Sequence, residues 1–131
     1  YVLNLLKGYN TDAIVLSGFL LLVPDYLLEA FPNRVVNIHP SLLPKHGGKG
    51  MHGLHVHEDV LKSGESETGI TIHVCDNNLD QGVTLFQAKC NVERDDTPET
   101  LAARVHKLEY AFFPEVIERL CNGAYDYKFK H

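Results

Sequence analysis

Apolar residues along this chain follow two rhythms: short aliphatic runs closed by turn residues, and a three-to-four spacing that continues for several turns. The first run, Asp12-Ala13-Ile14-Val15-Leu16-Ser17-Gly18, is apolar without alternation, as in a parallel strand covered on both faces. An apolar loop from Phe19 to Val23 follows, and Pro24 opens a helix predicted over Asp25 to Phe31, since proline is tolerated at the first helical position. Arg34 to His39 reads as the next strand. Strand, helix and strand in so short a span make a βαβ unit with parallel strands and a right-handed crossover.

Further along, His46 to Gly53 is a glycine-rich loop, and a helix is predicted from Leu54 to Ser63, ended by Gly64. Gly69 to Cys75 alternates, with Ile70, Ile72 and Val74 on one side and Thr71, His73 and Cys75 on the other. Val83 to Val92 is another strand, and the short polar loop before it favours an antiparallel pair. Asp96-Thr97-Pro98-Glu99 joins a capping residue, a proline and an acid, a strong helix start. Leu101, Val105, Leu108 and Phe112 then form one buried stripe. Pro114 is expected to kink this helix rather than end it, because Val116, Ile117 and Leu120 continue the pattern up to Gly123. Tyr125 to Phe129 is predicted as a short edge strand. The fold class is therefore α/β, a mixed sheet whose parallel strands are followed by an antiparallel pair, flanked by helices.

Composition narrows the partners. With 131 residues, the chain makes one domain with room for a core. A net charge of −5 argues against nucleic acid or an acidic membrane surface, but leaves room for a phosphorylated small molecule held by a few local donors. No stretch approaches the ~20 apolar residues of a membrane span. Cys75, Cys90 and Cys121, an odd number without paired spacing, suit a reducing compartment, and a cytoplasmic protein is expected. Tyr1 to Lys7 looks like the tail of an amphipathic helix with no initiator Met, so the natural protein is expected to extend further toward its N-terminus.

Four places could carry chemistry. Asn37 and His39, two apart at the end of a strand that runs into Pro40 and Pro44, lie on one side of the sheet's mouth, where open α/β sheets bind ligands. Taken alone, a satisfied structural pair is the better reading of them. The loop Asp76-Asn77-Asn78-Leu79-Asp80-Gln81-Gly82 carries two acids that could raise the pKa of His39, or is a solvated turn. His73 is a core histidine or a supporting partner. His52, His55 and His57 invite a metal, as a His-rich binding module; their spacing lacks the paired pattern of helical zinc sites, and a solvent-facing helix start is the expected role. No metal is expected. Gly47-Gly48-Lys49-Gly50 does not have the order of a phosphate-binding loop.

The segments Asn37-Ile38-His39-Pro40-Ser41-Leu42-Leu43-Pro44-Lys45, Glu67-Thr68-Gly69-Ile70-Thr71-Ile72-His73 and Leu79-Asp80-Gln81-Gly82 resemble the formyltransferase family that uses 10-formyltetrahydrofolate. The helix from Ala103-Arg104-Val105 through Glu109-Tyr110-Ala111 to Pro114 adds to the likeness, which runs from about Asp12 to Leu120 and is greatest to the branch acting on glycinamide ribonucleotide in purine synthesis. The resemblance implies a Rossmann-like formyltransferase fold with 10-formyltetrahydrofolate as co-substrate, in a monomer or homodimer. It implies His39 as the proton donor, Asp80 as the acid that raises the pKa of His39, and Asn37 as the holder of the formyl oxygen. Leu20, Leu21, Leu22 and Val23 would form one wall of the folate pocket, with Asp76, Asn77, Asn78, Leu79 and Asp80 the other. Gly18, Pro40, His106 and Glu109 would meet the ribonucleotide. A His–Asp pair near neutrality suits a proton shuttle from amine to folate nitrogen, and two donors at a developing oxyanion stabilise it.

The chain departs from the family in three ways. Leu21 stands where members often carry Arg. The loop from His46 to Gly53 is longer than in many relatives. The family's glycine-rich phosphate loop lies in an N-terminal half this sequence does not contain, so the isolated chain is expected to be a formyltransferase domain lacking that half, weak or inactive alone. A formyltetrahydrofolate hydrolase, or a formyltransferase acting on an aminosugar or tRNA, is the alternative within the superfamily; a tRNA enzyme would want a basic face.

Overall fold

The computed structural model describes residues 13–17, 25–48, 50–75 and 83–129. Strand β1 is Ile14–Ser17, helix α1 Asp25–Ala30, β2 Val35–His39, α2 Leu54–Lys62, β3 Glu67–Val74, β4 Thr84–Asn91 and α3 Pro98–Cys121, followed by a 3₁₀ turn at Asp126–Phe129. The sheet runs β1-β2-β3-β4. β1 and β2 pair in parallel, and β2–β3 and β3–β4 are antiparallel. This is the mixed α/β sheet the apolar pattern predicts.

Alternation along the central strands divides the sheet into two unlike faces. On one, Val36, Ile38, Ile70, Ile72 and Val74 pack with Val105, Val116 and Leu120 of α3, and Leu108, Phe112 and Phe113 close the cluster's edge. Leu101 is fully buried, and its truncation to Ala would cost about 3 kcal/mol. The other face is apolar where β2 begins: Val35 and Phe31 pack with Ile14, Leu27 and Leu28. It turns polar toward the end of β2, where Asn37 sits opposite His73 and His39 opposite Thr71.

Helix ends follow local chemistry. Thr97 caps α3, its side chain accepting from the Thr100 N–H, with Pro98 in the first turn. The helix passes through Pro114, as its continuing stripe demands. Gly69 is required by packing: a Cβ there would lie 1.8 Å from the Ala88 carbonyl oxygen and 2.9 Å from Leu42. A register shift at Ile72/His73 pairs them with Phe86 and Thr84, leaving Leu85 as a bulge beside His73.

Two expectations are corrected. Tyr125 to Phe129 is not an edge strand. After Gly123, at φ 82°, the Asp126 and Lys128 N–H groups bond back to the Gly123 and Tyr125 carbonyls, so the backbone is satisfied locally rather than across a sheet. His57 is not solvent-facing. It is 4 % exposed, on the α2 face that carries Val56 and Val60, while α2 packs against α3. Among the described residues no helix is long and apolar enough to cross a membrane.

Candidate active site

The end of β2 and the loop after it form one stapled unit. Asn37 is half-buried and His39 buried on the polar face. The Asn37 amide lies 3.4 Å from His73 Nε2. His39 Nε2 donates to the His46 carbonyl at 2.8 Å; because a carbonyl only accepts, this contact puts the ring proton on Nε2. Pro40 and Pro44 bracket a turn that Ser41 closes by donating to the Lys45 carbonyl at 2.7 Å. The Leu43–Pro44 peptide is cis.

Thr71 is the staple's hub. Its hydroxyl donates to the Ser41 carbonyl at 2.7 Å and accepts from the Leu43 N–H and the Gln87 side-chain amide, each at 2.9 Å. Gln87 also donates to the Leu43 carbonyl at 3.0 Å. Two strands, β3 and β4, and the loop after β2 are thereby tied behind His39, which fixes the ring far better than a free loop would. Alternation places Thr71 on this face from sequence, but the hub it forms with Gln87 is a tertiary contact with no local signal.

His46 is the second residue that sequence reasoning passed over, hidden in a glycine-rich stretch. It holds φ 57°, its Nδ1 meets the Asp59 carboxylate of α2, and its Nε2 is 3.7 Å from Glu65. Next to it Lys45 reaches Glu65 at 3.5 Å. His57 lies within electrostatic range of both His39 and His106. Burial first, then those two imidazoles, pushes its pKa down to about 4, so at neutral pH it adds no charge to the site.

Of the residues singled out in the sequence, Asn37, His39 and Pro40 form this unit. His106 and Glu109 meet on α3, with His106 Nδ1 3.2 Å from the Glu109 carboxylate. Gly18, the Leu20 to Val23 loop and the Asp76 to Asp80 loop, Asp80 included, lie outside the described residues. His52 and His55 stack edge to face at 5.4 Å on the surface, apart from the buried His57. Among the described residues no three His, Cys, Asp or Glu side chains gather as a metal site.

Two polar atoms in this unit, Asn37 Oδ1 and His46 Nε2, are buried with no hydrogen-bond partner among the described residues; Nε2 has Glu65 within ion-pair distance, whereas Oδ1 has no such neighbour among them. A buried amide left half-satisfied at a sheet's mouth is what a ligand-binding site retains. The formyl transferase family model matches residues 2–117. The chain belongs to the formyl transferase family. A relative named phosphoribosylglycinamide formyltransferase, chloroplastic, from Arabidopsis thaliana is 43% identical over 120 residues, covering 92% of this chain and 41% of the relative. The Bacillus subtilis phosphoribosylglycinamide formyltransferase is 34% identical over 119 residues, covering 91% and 58%. The crystal structure of the Bacillus halodurans enzyme of that name superposes with a TM-score of 0.81 at 36% identity, covering 98% of this chain and 64% of that one. The chain thus spans between two fifths and two thirds of the length of these formyl transferase relatives.

Proposed function

We propose that the protein carrying this chain transfers the formyl group of 10-formyltetrahydrofolate to the amine of 5'-phosphoribosylglycinamide. Its relatives' names support the substrate, and the observation that carries the reading is the Asn37–His39 pair, fixed side by side on the polar face at the end of β2 with one buried Asn37 oxygen unmet.

Bound 10-formyltetrahydrofolate supplies the formyl carbon that the amine attacks and the nitrogen that leaves. Asn37 offers its second Nδ2–H to the formyl oxygen as negative charge develops there, and its Oδ1 can accept an N–H of the incoming amine, which aims the nitrogen lone pair at carbon. His39 in its protonated form adds positive charge beside that oxygen. With Nε2–H held by the His46 carbonyl, the ring gains and loses its proton at Nδ1, and from there can hand a proton toward the leaving nitrogen as the new C–N bond forms and the old one breaks. Glu109, steadied by His106, offers carboxylate oxygens that suit ribose hydroxyls. Cys75, Cys90 and Cys121 form no disulfide among the described residues, which fits a reducing compartment; we place the protein in the cytoplasm, although the Arabidopsis relative is named chloroplastic.

The test uses the full natural protein with labelled formyl-folate and glycinamide ribonucleotide. Label in formylated ribonucleotide is expected; label only in formate would instead identify a hydrolase and overturn the proposal.

A further inference from the structure

His39 stands on a rigid strand, but one group that orients its ring, the His46 carbonyl, is main chain from a loop. That loop turns at His46, whose φ of 57° lies in the left-handed region, which histidine tolerates better than most residues. Glycines at 47, 48 and 50 follow, so the local backbone supplies little stiffness of its own. The Ser41 hydroxyl reaches the His46 carbonyl at 3.4 Å, and the imidazole of His46 supplies a second, stronger hold on the turn. Its side chain is 9% exposed, its Nδ1 meets Asp59 on α2, and its Nε2 is within ion-pair distance of Glu65, just beyond the helix. The ring bridges the helix and the turn after it, and in doing so aims its own carbonyl at His39.

On the formyl-transfer reading, we propose that His46 is a positioning residue for His39: clamped by Asp59 and Glu65, it fixes the carbonyl that takes the His39 Nε2–H and so confines proton exchange to Nδ1. The carbonyl cannot donate, so Nε2 keeps its proton in both charge states of the ring. Release the clamp, and the tautomers mix; a fraction of the rings then present a lone pair where an N–H is needed and an N–H where the exchanging nitrogen belongs.

Two variants of the full natural protein test this. His46→Gly leaves the left-handed backbone accessible and removes only the ring. Asp59→Asn keeps His46 and removes the charged partner. The nitrogen NMR signals of the His39 ring at alkaline pH report the tautomer directly. In the unsubstituted protein a protonated Nε2 and a pyridine-type Nδ1 are expected. In His46→Gly both tautomers are expected, with kcat for formyl transfer down about tenfold or more and KM changed less than about threefold, as misplacement of a reacting group demands. Asp59→Asn is expected to fall between. A single Nε2–H tautomer and unchanged kcat in His46→Gly would overturn the proposal. Should that variant not fold, an unchanged tautomer and kcat in Asp59→Asn would overturn it instead. If the unsubstituted protein transfers no formyl group, the functional reading fails, while the tautomer comparison still decides the role of His46.

Discussion

The start of α3 and the end of β2 both gather polar side chains on the same sheet; one cluster is closed on itself and the other is left open. At the start of α3, Arg104 grips Asp96 with two nitrogens at 2.6 and 2.9 Å and also donates to the Asn91 carbonyl. Asp96 accepts further from the Glu93 N–H and the Thr100 hydroxyl, and the Thr97–Thr100 capping box completes the set. Foremost through its hydrogen bonds to Arg104, the Asp96 carboxyl is held well below the usual carboxylate range. At the end of β2 and in the loop after it, Asn37 Oδ1 and His46 Nε2 are buried without hydrogen-bond partners among the described residues, as is His57 Nδ1 on α2, and His39 leans on a loop carbonyl. Leaving a buried polar group unmet costs about 1 to 3 kcal/mol. On the formyl-transfer reading, the cluster that bears this cost is kept for what it binds, while the closed cluster serves stability.

Substitutions can break that contrast in turn. The largest effect is expected from His39→Ala: formyl transfer by the full protein falls by about a thousandfold, with folate affinity measured alongside and nearly unchanged. Thr71→Val deprives Leu43, Gln87 and Ser41 of their shared partner and is expected to cost on the order of 2 to 3 kcal/mol in denaturant unfolding.

The open side also has a pH signature. His57 has a folded pKa of about 4 against an ordinary 6.5, so the unfolded chain takes up the proton first as pH falls. Stability is then full above pH 6.5 and declines between 6.5 and 4, by on the order of 2 kcal/mol. Melting temperatures of His57→Leu across that window are expected to be flatter than those of the unsubstituted protein. On the closed side, the Asp96 pKa is depressed, so its contribution is present above the ordinary value of 3.8 and is lost as pH falls below it. Asp96→Asn is expected to cost about 1 kcal/mol at neutral pH, progressively less in acid, and to leave kcat unchanged.

Much of this contrast is legible in the sequence, and the limits have physical causes. The α3 start reads directly, because Asp96-Thr97-Pro98-Glu99 is local chemistry within one helical turn. The pairing of Asn37 with His39 on one side follows from the two-residue period of β2. What supports them does not: Thr71, Gln87, His46 and Asp59 converge from separate elements, and no local spacing announces the meeting. His57 misleads because a histidine near a helix start usually faces water, whereas here it shares the buried face of Val56 and Val60. Tyr125 to Phe129 misleads because its alternation is strand-like, yet the helix end just before it lets the chain close its own hydrogen bonds.

On the formyl-transfer reading, the open polar cluster is retained for chemistry at a cost in stability. Asn37→Leu in the full protein tests it most directly, with melting temperature and formyl transfer measured on the same preparation. Removing a half-satisfied buried amide is predicted to leave the melting temperature unchanged or raised while transfer drops about a hundredfold. A melting temperature lowered by several degrees with transfer intact would contradict the claim and make Asn37 a structural residue.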